Sequence, residues 1–329
     1  MSAVRPMTGS AGEPSLPAGA AARLAAGPLT HMAVLYGDAD DYAATVGGFV
    51  RDGLAAGDPV MVAVPAPQAL LLRDVLDHRL DAITFVDMAA LGRNPARIMP
   101  AVQTFADAHS GQLVRYVGEP VWTSRTPAER AEAIRHEALL NLAFARRPLC
   151  VLCPYGLAGI DPGVLAGVRR THPVLMRAQG TEPSPDFADG DWPGADEDLL
   201  PPPPAGLAVL TYRDEPAAAR AFVRARASAA GLREPALTDL VIAVGELAAN
   251  TLRHTSGSGT VAVWATAAEV ICEVRDTGYI RDALAGRRFP VADAGQGHGL
   301  WVVHQVCDLV EMRTGNSGTT FRLHMGLRS

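Results

Sequence analysis

Short apolar runs alternate with stretches of helical period along the first half of the chain. Runs rich in Val and Ile predict buried strands, and the amphipathic stretches between them predict helices. The predicted strands are Met32–Tyr36, Val60–Val64, Ile83–Val86, Leu113–Val117 and Leu149–Leu152. The predicted helices are Asp41–Ala56, Gln68–Leu76, Pro100–Ala108, Pro127–Phe144 and Pro162–Arg170. This alternation indicates a parallel sheet with helices on both faces.

The pattern breaks at residues 178–206, where Gly, Pro and acidic residues dominate and four consecutive prolines predict a stiff linker. A second apolar pattern follows it. Its predicted helices are Pro216–Ala230, Leu237–His254 and one near Leu300–Cys307. Its predicted strands are Leu207–Tyr212, Thr260–Ala265, Val270–Arg275, Leu309–Arg313 and Thr320–Met325. We therefore expect a flexible tail at 1–29, one domain at 30–177, and a second domain at 207–329 with helices on one face of a mixed sheet.

Composition narrows the class of protein. At 329 residues, with 48% hydrophobic and 19% charged residues, the chain is long and apolar enough for two globular domains. A net charge of −6 gives no basic surface for direct nucleic-acid binding. The chain shows neither a membrane-spanning apolar run nor a signal-like N-terminus, and its four cysteines are too few for a disulfide scaffold. These observations favour a reducing cytoplasm.

Lysine is missing from the sequence, and all 29 basic residues are arginine. The lysine of a Walker A loop and any Schiff-base chemistry are thereby excluded. If the chain binds phosphate, it must use backbone amides, a metal ion or arginine.

Three polar side chains share one face of a predicted helix in the second half of the chain. Glu246, Asn250 and His254 are spaced at i, i+4 and i+8. The amide oxygen of Asn250 suits Mg²⁺, and a carboxylate such as Glu246 can deprotonate an attacking hydroxyl. The alternative interpretation is an amphipathic helix whose polar residues are merely solvated.

Two further motifs follow. Asp276 ends a predicted strand and precedes Gly278, where a carboxylate can accept the exocyclic amine of adenine and glycine lets the backbone come close. Gly295, Gly297 and Gly299 come just before an apolar helix, so backbone amides at the positive helix end can meet phosphate oxygens. Each motif alone fits an ordinary turn or a mobile loop equally well.

In this order and spacing the motifs resemble the Bergerat (GHKL) ATP-binding fold over about residues 205–326, and within it the anti-sigma-factor serine kinases of the RsbW and SpoIIAB type. The resemblance implies that Glu246 is the catalytic base and Asn250 the Mg²⁺ ligand. It implies that Asp276, with Gly278, contacts the adenine of ATP, and that Thr320 contacts it through water. The backbone of Gly295, Gly297 and Gly299, followed by Leu300, would hold the phosphates.

The resemblance also implies partners. ATP would donate its γ-phosphate to a serine on an anti-anti-sigma (STAS) protein, and the module would sequester a sigma factor until that protein competes. Related kinase modules dimerise, which implies a homodimer here. The chain lacks a helical dimerisation domain with a phosphoacceptor histidine, so a sensor histidine kinase is disfavoured.

Two positions leave alternatives open. Tyr279 stands where the first glycine box has its second glycine, which favours a non-catalytic, ATP-dependent binding switch as an alternative to a kinase. Arg287 and Arg288, between the glycine boxes, either reach the γ-phosphate when a lid closes or remain solvated. A metabolic α/β enzyme that uses the N-terminal domain is a third hypothesis.

The N-terminal half has its own candidate pocket. His31, Tyr36, Glu119 and Trp122 lie near predicted strand ends, where open parallel sheets bind ligands. A structural turn with a buried tryptophan is the alternative. Together with Glu137 and Cys153-Pro-Tyr155, these residues make residues 30–177 resemble the MEDS (DcmR-type) sensory domain, which is similar to a RecA-like α/β core without a phosphate loop. Cys150 and Cys153 have zinc-knuckle spacing, but no second CxxC or histidine pair accompanies them and they lie in one apolar strand, so we interpret them as structural, with a metal or redox use as the alternative.

Overall fold

The computed structural model describes residues 28–177, 180–188, 200–255, 257–290 and 298–327. Most of the expected tail lies outside these ranges, as do residues 178–179 and 189–199 of the expected linker. The described chain forms two α/β domains, one with a parallel-rich sheet and one with an antiparallel sheet, which confirms the predicted fold class. Among the described residues, no helix combines the length and the apolar composition needed to cross a membrane.

The N-terminal domain is built on a seven-stranded sheet with the order β3-β2-β4-β5-β1-β6-β7. Its strands are β1 Leu29–Tyr36, β2 Val60–Val64, β3 Ile83–Asp87, β4 Val114–Gly118, β5 Leu149–Gly156, β6 Val174–Arg177 and β7 Gly180–Pro183. Its helices are α1 Ala39–Ala56, α2 Ala66–Leu76, α3 Met88–Leu91, α4 Ile98–Ala108, α5 Pro127–Phe144 and α6 Pro162–Thr171, with 3₁₀ turns at Asp77–Ala82 and Pro95–Arg97. All strand pairs are parallel except β6 with β7.

Alternation along the strands divides this domain's core into two layers. In β5, Cys150 and Leu152 pack with α1 and α2, whereas Val151 and Cys153 pack with α4, α5 and α6 on the other face. Successive residues of a strand point to opposite faces, so the spacing of three separates the two thiols across the sheet. Helix α5 begins at a capping box in which Thr126 and Glu129 bond each other's backbone, which fixes where this helix starts.

The C-terminal domain has a five-stranded sheet with the order β11-β12-β10-β9-β8. Its strands are β8 Val209–Tyr212, β9 Gly259–Ala265, β10 Glu269–Asp276, β11 Leu309–Gly315 and β12 Gly318–Gly326. Its helices are α7 Pro216–Ala229, α8 Ala236–His254 and α9 His298–Val306, all packed on one face. The opposite face is polar: burial acts to lower the pKa of His324, but hydrogen bonds with Glu269 and Glu311 outweigh it and raise the pKa to about 9.

Three expectations need correction. The C-terminal sheet is antiparallel at every described strand pair, not mixed, because the two consecutive helices α7 and α8 bring the chain back in the opposite direction between β8 and β9. The N-terminal sheet gains the hairpin β6–β7, which runs past the expected boundary at residue 177. Arg287 is neither a solvated arginine nor directed at a phosphate, since its side chain is only 1% exposed and forms an ion pair.

That ion pair belongs to a buried cluster between the two domains, which we call the interdomain cluster. Glu132 on α5 binds Arg287 at 3.1 Å and Arg313 on β11 at 2.7 Å, and Arg135 lies 3.3 Å from the same carboxylate. Burial alone would raise the pKa of Glu132, but the three arginines outweigh it and lower the pKa. Leu284, from the same segment as Arg287, is buried in the core of the N-terminal domain.

The N-terminal domain also holds the C-terminal end of α9. Arg97 donates from Nε to the carbonyl of His304 at 3.0 Å and from Nη2 to the carbonyl of Cys307 at 2.7 Å. Asn94 donates to the His304 carbonyl as well, at 3.0 Å. The last carbonyls of a helix lack partners within the helix and carry partial negative charge, so an arginine stabilises them. Helix α9 therefore depends on the neighbouring domain for its C-terminal cap.

We expect Glu132→Gln to lower the free energy of unfolding by about 3 kcal/mol, because it leaves the buried Arg287 without its counter-charge. The matched control is Glu182→Gln, which removes an exposed ion pair with Arg177 and should cost less than about 0.5 kcal/mol. Urea denaturation followed by tryptophan fluorescence measures both. Equal stability of the two variants would contradict the structural role of the cluster.

The carboxylate of Glu132 also makes the free energy of unfolding depend on pH. Because its pKa is lowered in the folded protein, its stabilisation is fully present above the pKa of an unfolded glutamate, about 4.3. It is lost as the pH falls through the lowered folded pKa. The stability difference between the native chain and Glu132→Gln should therefore narrow on acidification, as seen in urea titrations at successive pH values. A difference that stays constant down to acidic pH would exclude this carboxylate as its source.

Candidate functional site

A cleft of about 730 Å³ opens between α8, the end of β10 and the start of α9. Most of the motif residues that the sequence singled out line it, although they come from three separate segments. The lining comprises Glu246, Leu247, Asn250, Arg253, His254, Thr255, Asp276, Gly278, Tyr279, Ile280, His298, Gly299, Leu300, Thr319 and Phe321.

Asp276 is held in place at the end of β10. Its Oδ2 accepts a hydrogen bond from the hydroxyl of Thr251 at 2.7 Å, and its Oδ1 accepts one from the backbone N–H of Gly278 at 2.8 Å. The hydroxyl of Tyr212 lies 2.9 Å from that of Thr251 and completes a buried chain. A carboxylate oxygen can accept more than one hydrogen bond, so Asp276 keeps acceptor capacity for a donor that enters the cleft.

Glu246 and Asn250 approach the first turn of α9. A Cβ atom added to Gly299 would lie 2.7 Å from Oε2 of Glu246 and 3.4 Å from Nδ2 of Asn250. A side chain at this position would displace the Glu246 carboxylate, so the glycine lets the first turn of α9 approach both polar side chains. The first residues of α9, from His298 to Leu300, line the cleft and bring the unpaired N–H groups of a helix start to it.

The structure distinguishes two adjacent threonines. Thr319 lines the cleft, donates a hydrogen bond to the carbonyl of Gly278 at 2.8 Å and lies 2.9 Å from the hydroxyl of Thr314. Thr320, the residue expected to contact adenine, does not line the cleft. It lies on the same face of β12 as Arg322, which is the face away from the helices, because side chains alternate along a strand.

Two expected site residues, Gly295 and Gly297, lie outside the described residues. Gly299 and Leu300 of the same motif are at the cleft, as are Asp276 and Gly278. Sequence reasoning missed Thr251, Thr319 and Tyr212. Thr251 is detectable in principle, since it follows Asn250 and is fully buried on the helix side that faces β10.

The expected N-terminal pocket is present in part. Tyr36, Glu119 and Trp122 line a cavity of about 390 Å³ at the carboxyl ends of the strands, and the Tyr36 hydroxyl donates to Glu119 Oε1 at 2.9 Å. Burial raises the pKa of Glu119 to about 8, despite that hydrogen bond. His31 is not at this cavity; it is buried behind it, and Tyr155 lies between the two.

Comparison with known families agrees with this division of the chain. Residues 30–173 match the MEDS family, the methanogen/methylotroph DcmR sensory domain. Residues 211–325 match the histidine kinase-like ATPase domain family. No curated protein is similar enough in sequence to count as a match. The chain thus combines an N-terminal MEDS sensory domain with a C-terminal histidine kinase-like ATPase domain.

Proposed function

We propose that this chain is a signal-responsive anti-sigma factor that binds ATP with Mg²⁺ and phosphorylates a serine on a STAS anti-anti-sigma protein. The observation that carries the proposal is the convergence of Glu246, Asn250, Asp276 and the start of α9 on one cleft. The pairing of a sensory domain with an ATPase-type domain itself indicates signalling regulation. The sigma factor and the STAS protein are inferred from the motif resemblance.

Each end of the cleft suits one part of ATP. The carboxylate of Asp276 accepts the adenine amine, and the space left by Gly278 lets the base approach the backbone. Thr319, rather than Thr320, faces the base from β12. The N–H groups at the start of α9 face the phosphates, where the positive end of a helix stabilises negative charge.

The donors at the phosphate end fit a magnesium ion. Asn250 offers a hard amide oxygen, Glu246 lies beside it, and Gly299 lets the first turn of α9 approach both side chains. Bound Mg²⁺ would neutralise charge on the β- and γ-phosphates. Glu246 would accept the proton of the acceptor serine hydroxyl while the serine oxygen attacks the γ-phosphorus. The bond between the γ-phosphorus and the β-phosphate oxygen would break at the same time, which releases ADP.

The helices upstream of residue 200 favour transfer to a separate protein over histidine autophosphorylation. In the ranges that the structure describes, these helices pack on the N-terminal sheet, so none forms a dimerisation stalk carrying a phosphoacceptor histidine. A serine on a partner is the acceptor that the resemblance implies, and a homodimer is part of the same proposal.

The second candidate function is a binding switch without phosphoryl transfer. Arg287 favours it, because this arginine of the segment between the glycine boxes is held by Glu132 in the interdomain cluster. Tyr279, which is 60% exposed at the rim of the cleft, favours it too. This alternative predicts nucleotide-dependent binding of a sigma factor with no phosphoserine formed.

Asp276→Asn should weaken ATP binding by about 10–100-fold, because the hydrogen bond to a charged acceptor is worth about 1.5–3 kcal/mol. Inosine triphosphate carries an oxygen in place of the adenine amine, so its affinity should change little. Asp214→Asn, an exchange at an exposed aspartate of the same domain, is the control. Calorimetric titration with both nucleotides measures the preference. Equal losses for ATP and inosine triphosphate would contradict the adenine contact.

Glu246→Gln should reduce phosphoserine formation at least about 100-fold while leaving ATP affinity within a few-fold, because a general base contributes about 10²–10⁴-fold. The assay uses labelled ATP, Mg²⁺ and a STAS protein, with its acceptor serine changed to alanine as a substrate control. Glu215→Gln, at an exposed glutamate of the same domain, is the enzyme control. If no phosphoserine forms with the native chain, the kinase is excluded; sigma binding that depends on ATP would then establish the switch.

A further inference from the structure

A second group of polar side chains is buried inside the N-terminal domain, away from the ATPase cleft. His31 on β1, Glu137 on α5, Cys153 on β5 and His172 after α6 are each at most 1% exposed. One potential ligand atom from each lies within 4.8 Å of all the others. The chain thus brings two imidazoles, a carboxylate and a thiol from four separate elements to one point.

Hydrogen-bond partners define the tautomers of both histidines. Nδ1 of His172 lies 2.8 Å from the carbonyl oxygen of Val168, which can only accept, so this nitrogen carries the proton. Nδ1 of His31 lies 2.9 Å from Oδ1 of Asn141. The amide of Asn141 is oriented because its Nδ2 donates to the carbonyl of Thr171 at 2.7 Å, so His31 also donates from Nδ1. Both Nε2 atoms of the neutral rings therefore present lone pairs.

These lone pairs face another acceptor. Oε2 of Glu137 lies 3.0 Å from Nε2 of His31 and 3.4 Å from Nε2 of His172. Nε2 of His172 is buried and has no hydrogen-bond partner. An added proton on one ring would satisfy one of these contacts and leave the other acceptor unpaired. A single cation at the centre would satisfy both rings and the carboxylate.

The spacing of the four atoms fits a small tetrahedral ion. Sγ of Cys153 lies 3.3 Å from Oε2 of Glu137 and 3.5 Å from Nε2 of His31. For metal bonds of roughly 2.0–2.3 Å, the ligand atoms of a tetrahedral zinc site are about 3.3–3.7 Å apart. Four of the six separations among these atoms are 3.0–3.5 Å and none exceeds 4.8 Å, so binding requires the widest pairs to come closer by side-chain shifts.

We propose that His31, Glu137, Cys153 and His172 form a closed binding site for a divalent transition-metal ion of zinc type. Two imidazoles with a thiolate suit zinc better than the hard ions Mg²⁺ and Ca²⁺. On binding, the Cys153 thiol passes its proton to solvent and the thiolate becomes a ligand. All four positions are filled by protein, as in structural sites, so the ion has no open position for catalysis.

An outer shell of hydrogen bonds already supports these ligands. Both histidines donate their second ring N–H to a carbonyl oxygen, which is the usual arrangement around metal-bound imidazoles. The hydroxyl of Tyr155 donates to Oε1 of Glu137 at 3.1 Å, leaving Oε2 for the metal. Tyr155 also lines the cavity formed by Tyr36 and Glu119, so this one side chain contacts both the proposed site and the cavity.

The test uses the full chain, stripped with a chelator, reloaded with Zn²⁺ and desalted. The native chain should retain about one zinc ion per chain, and Zn²⁺ should raise its thermal unfolding midpoint. Loading with Co²⁺ instead should produce a thiolate-to-cobalt charge-transfer band and the visible bands of a tetrahedral ion. Mg²⁺ should do neither. These readouts need no variant and are independent of nucleotide binding.

Variants then assign the ligand. Cys153→Ala should lose the zinc and the charge-transfer band, whereas Cys150→Ala, which removes an equally buried thiol on the opposite face of β5, should keep both. Asn141→Ala should weaken zinc binding by about 10–100-fold through the outer shell. The proposal is overturned if the native chain retains no zinc and shows no thiolate band with Co²⁺, or if Cys153→Ala retains as much metal as Cys150→Ala.

Discussion

The arrangement of the two domains depends on the ion pairs that the buried carboxylate of Glu132 forms with arginines. This carboxylate faces arginines from two segments of the C-terminal domain and one from its own helix, in a place where a charge without partners would be prohibitive. The chain has no lysine, so all these contacts are made by guanidinium groups, whose planar forks suit carboxylates. Because Arg287 lies in the chain between Ile280 and His298, which both line the cleft, the N-terminal domain contacts the segment that connects two parts of the cleft lining.

Hydrophobic periodicity was sufficient to predict most helices and strands and the parallel N-terminal sheet. The motif resemblance, and not periodicity, predicted that Glu246, Asn250 and Asp276 belong to one site, and all three line the same cleft. The hairpin β6–β7 was not predicted, since β7 at Gly180–Pro183 lies in the Gly- and Pro-rich segment that was interpreted as a linker. The antiparallel C-terminal sheet was not predicted, because the direction of β9 relative to β8 depends on the two helices between them and not on the periodicity of either strand.

The remaining misses concern which face a residue occupies or what it meets far along the chain. Thr319 and Thr320 differ by one position, and only the register of β12 decides which of them faces the cleft. Arg287 meets Glu132 across more than a hundred residues, a pairing that no local pattern signals. Cys153 was correctly predicted to be buried, but its neighbours His31, Glu137 and His172 come from distant elements. In each case the sequence specifies the residue type and the fold supplies the partner.

Helix α5 carries both Glu132, which faces the arginines, and Glu137, which faces the two histidines and the thiol. Five residues of a helix span about 7.5 Å, so the two carboxylates move together when helix α5 moves as a rigid element. A displacement of this helix at one carboxylate therefore also moves the other carboxylate relative to its partners. Thermodynamic linkage makes such coupling reciprocal: an occupant of the N-terminal domain that alters ATP affinity by some factor has its own affinity altered by ATP by the same factor. If the proposed function holds, a stimulus that acts through this helix is measurable as a change in nucleotide affinity.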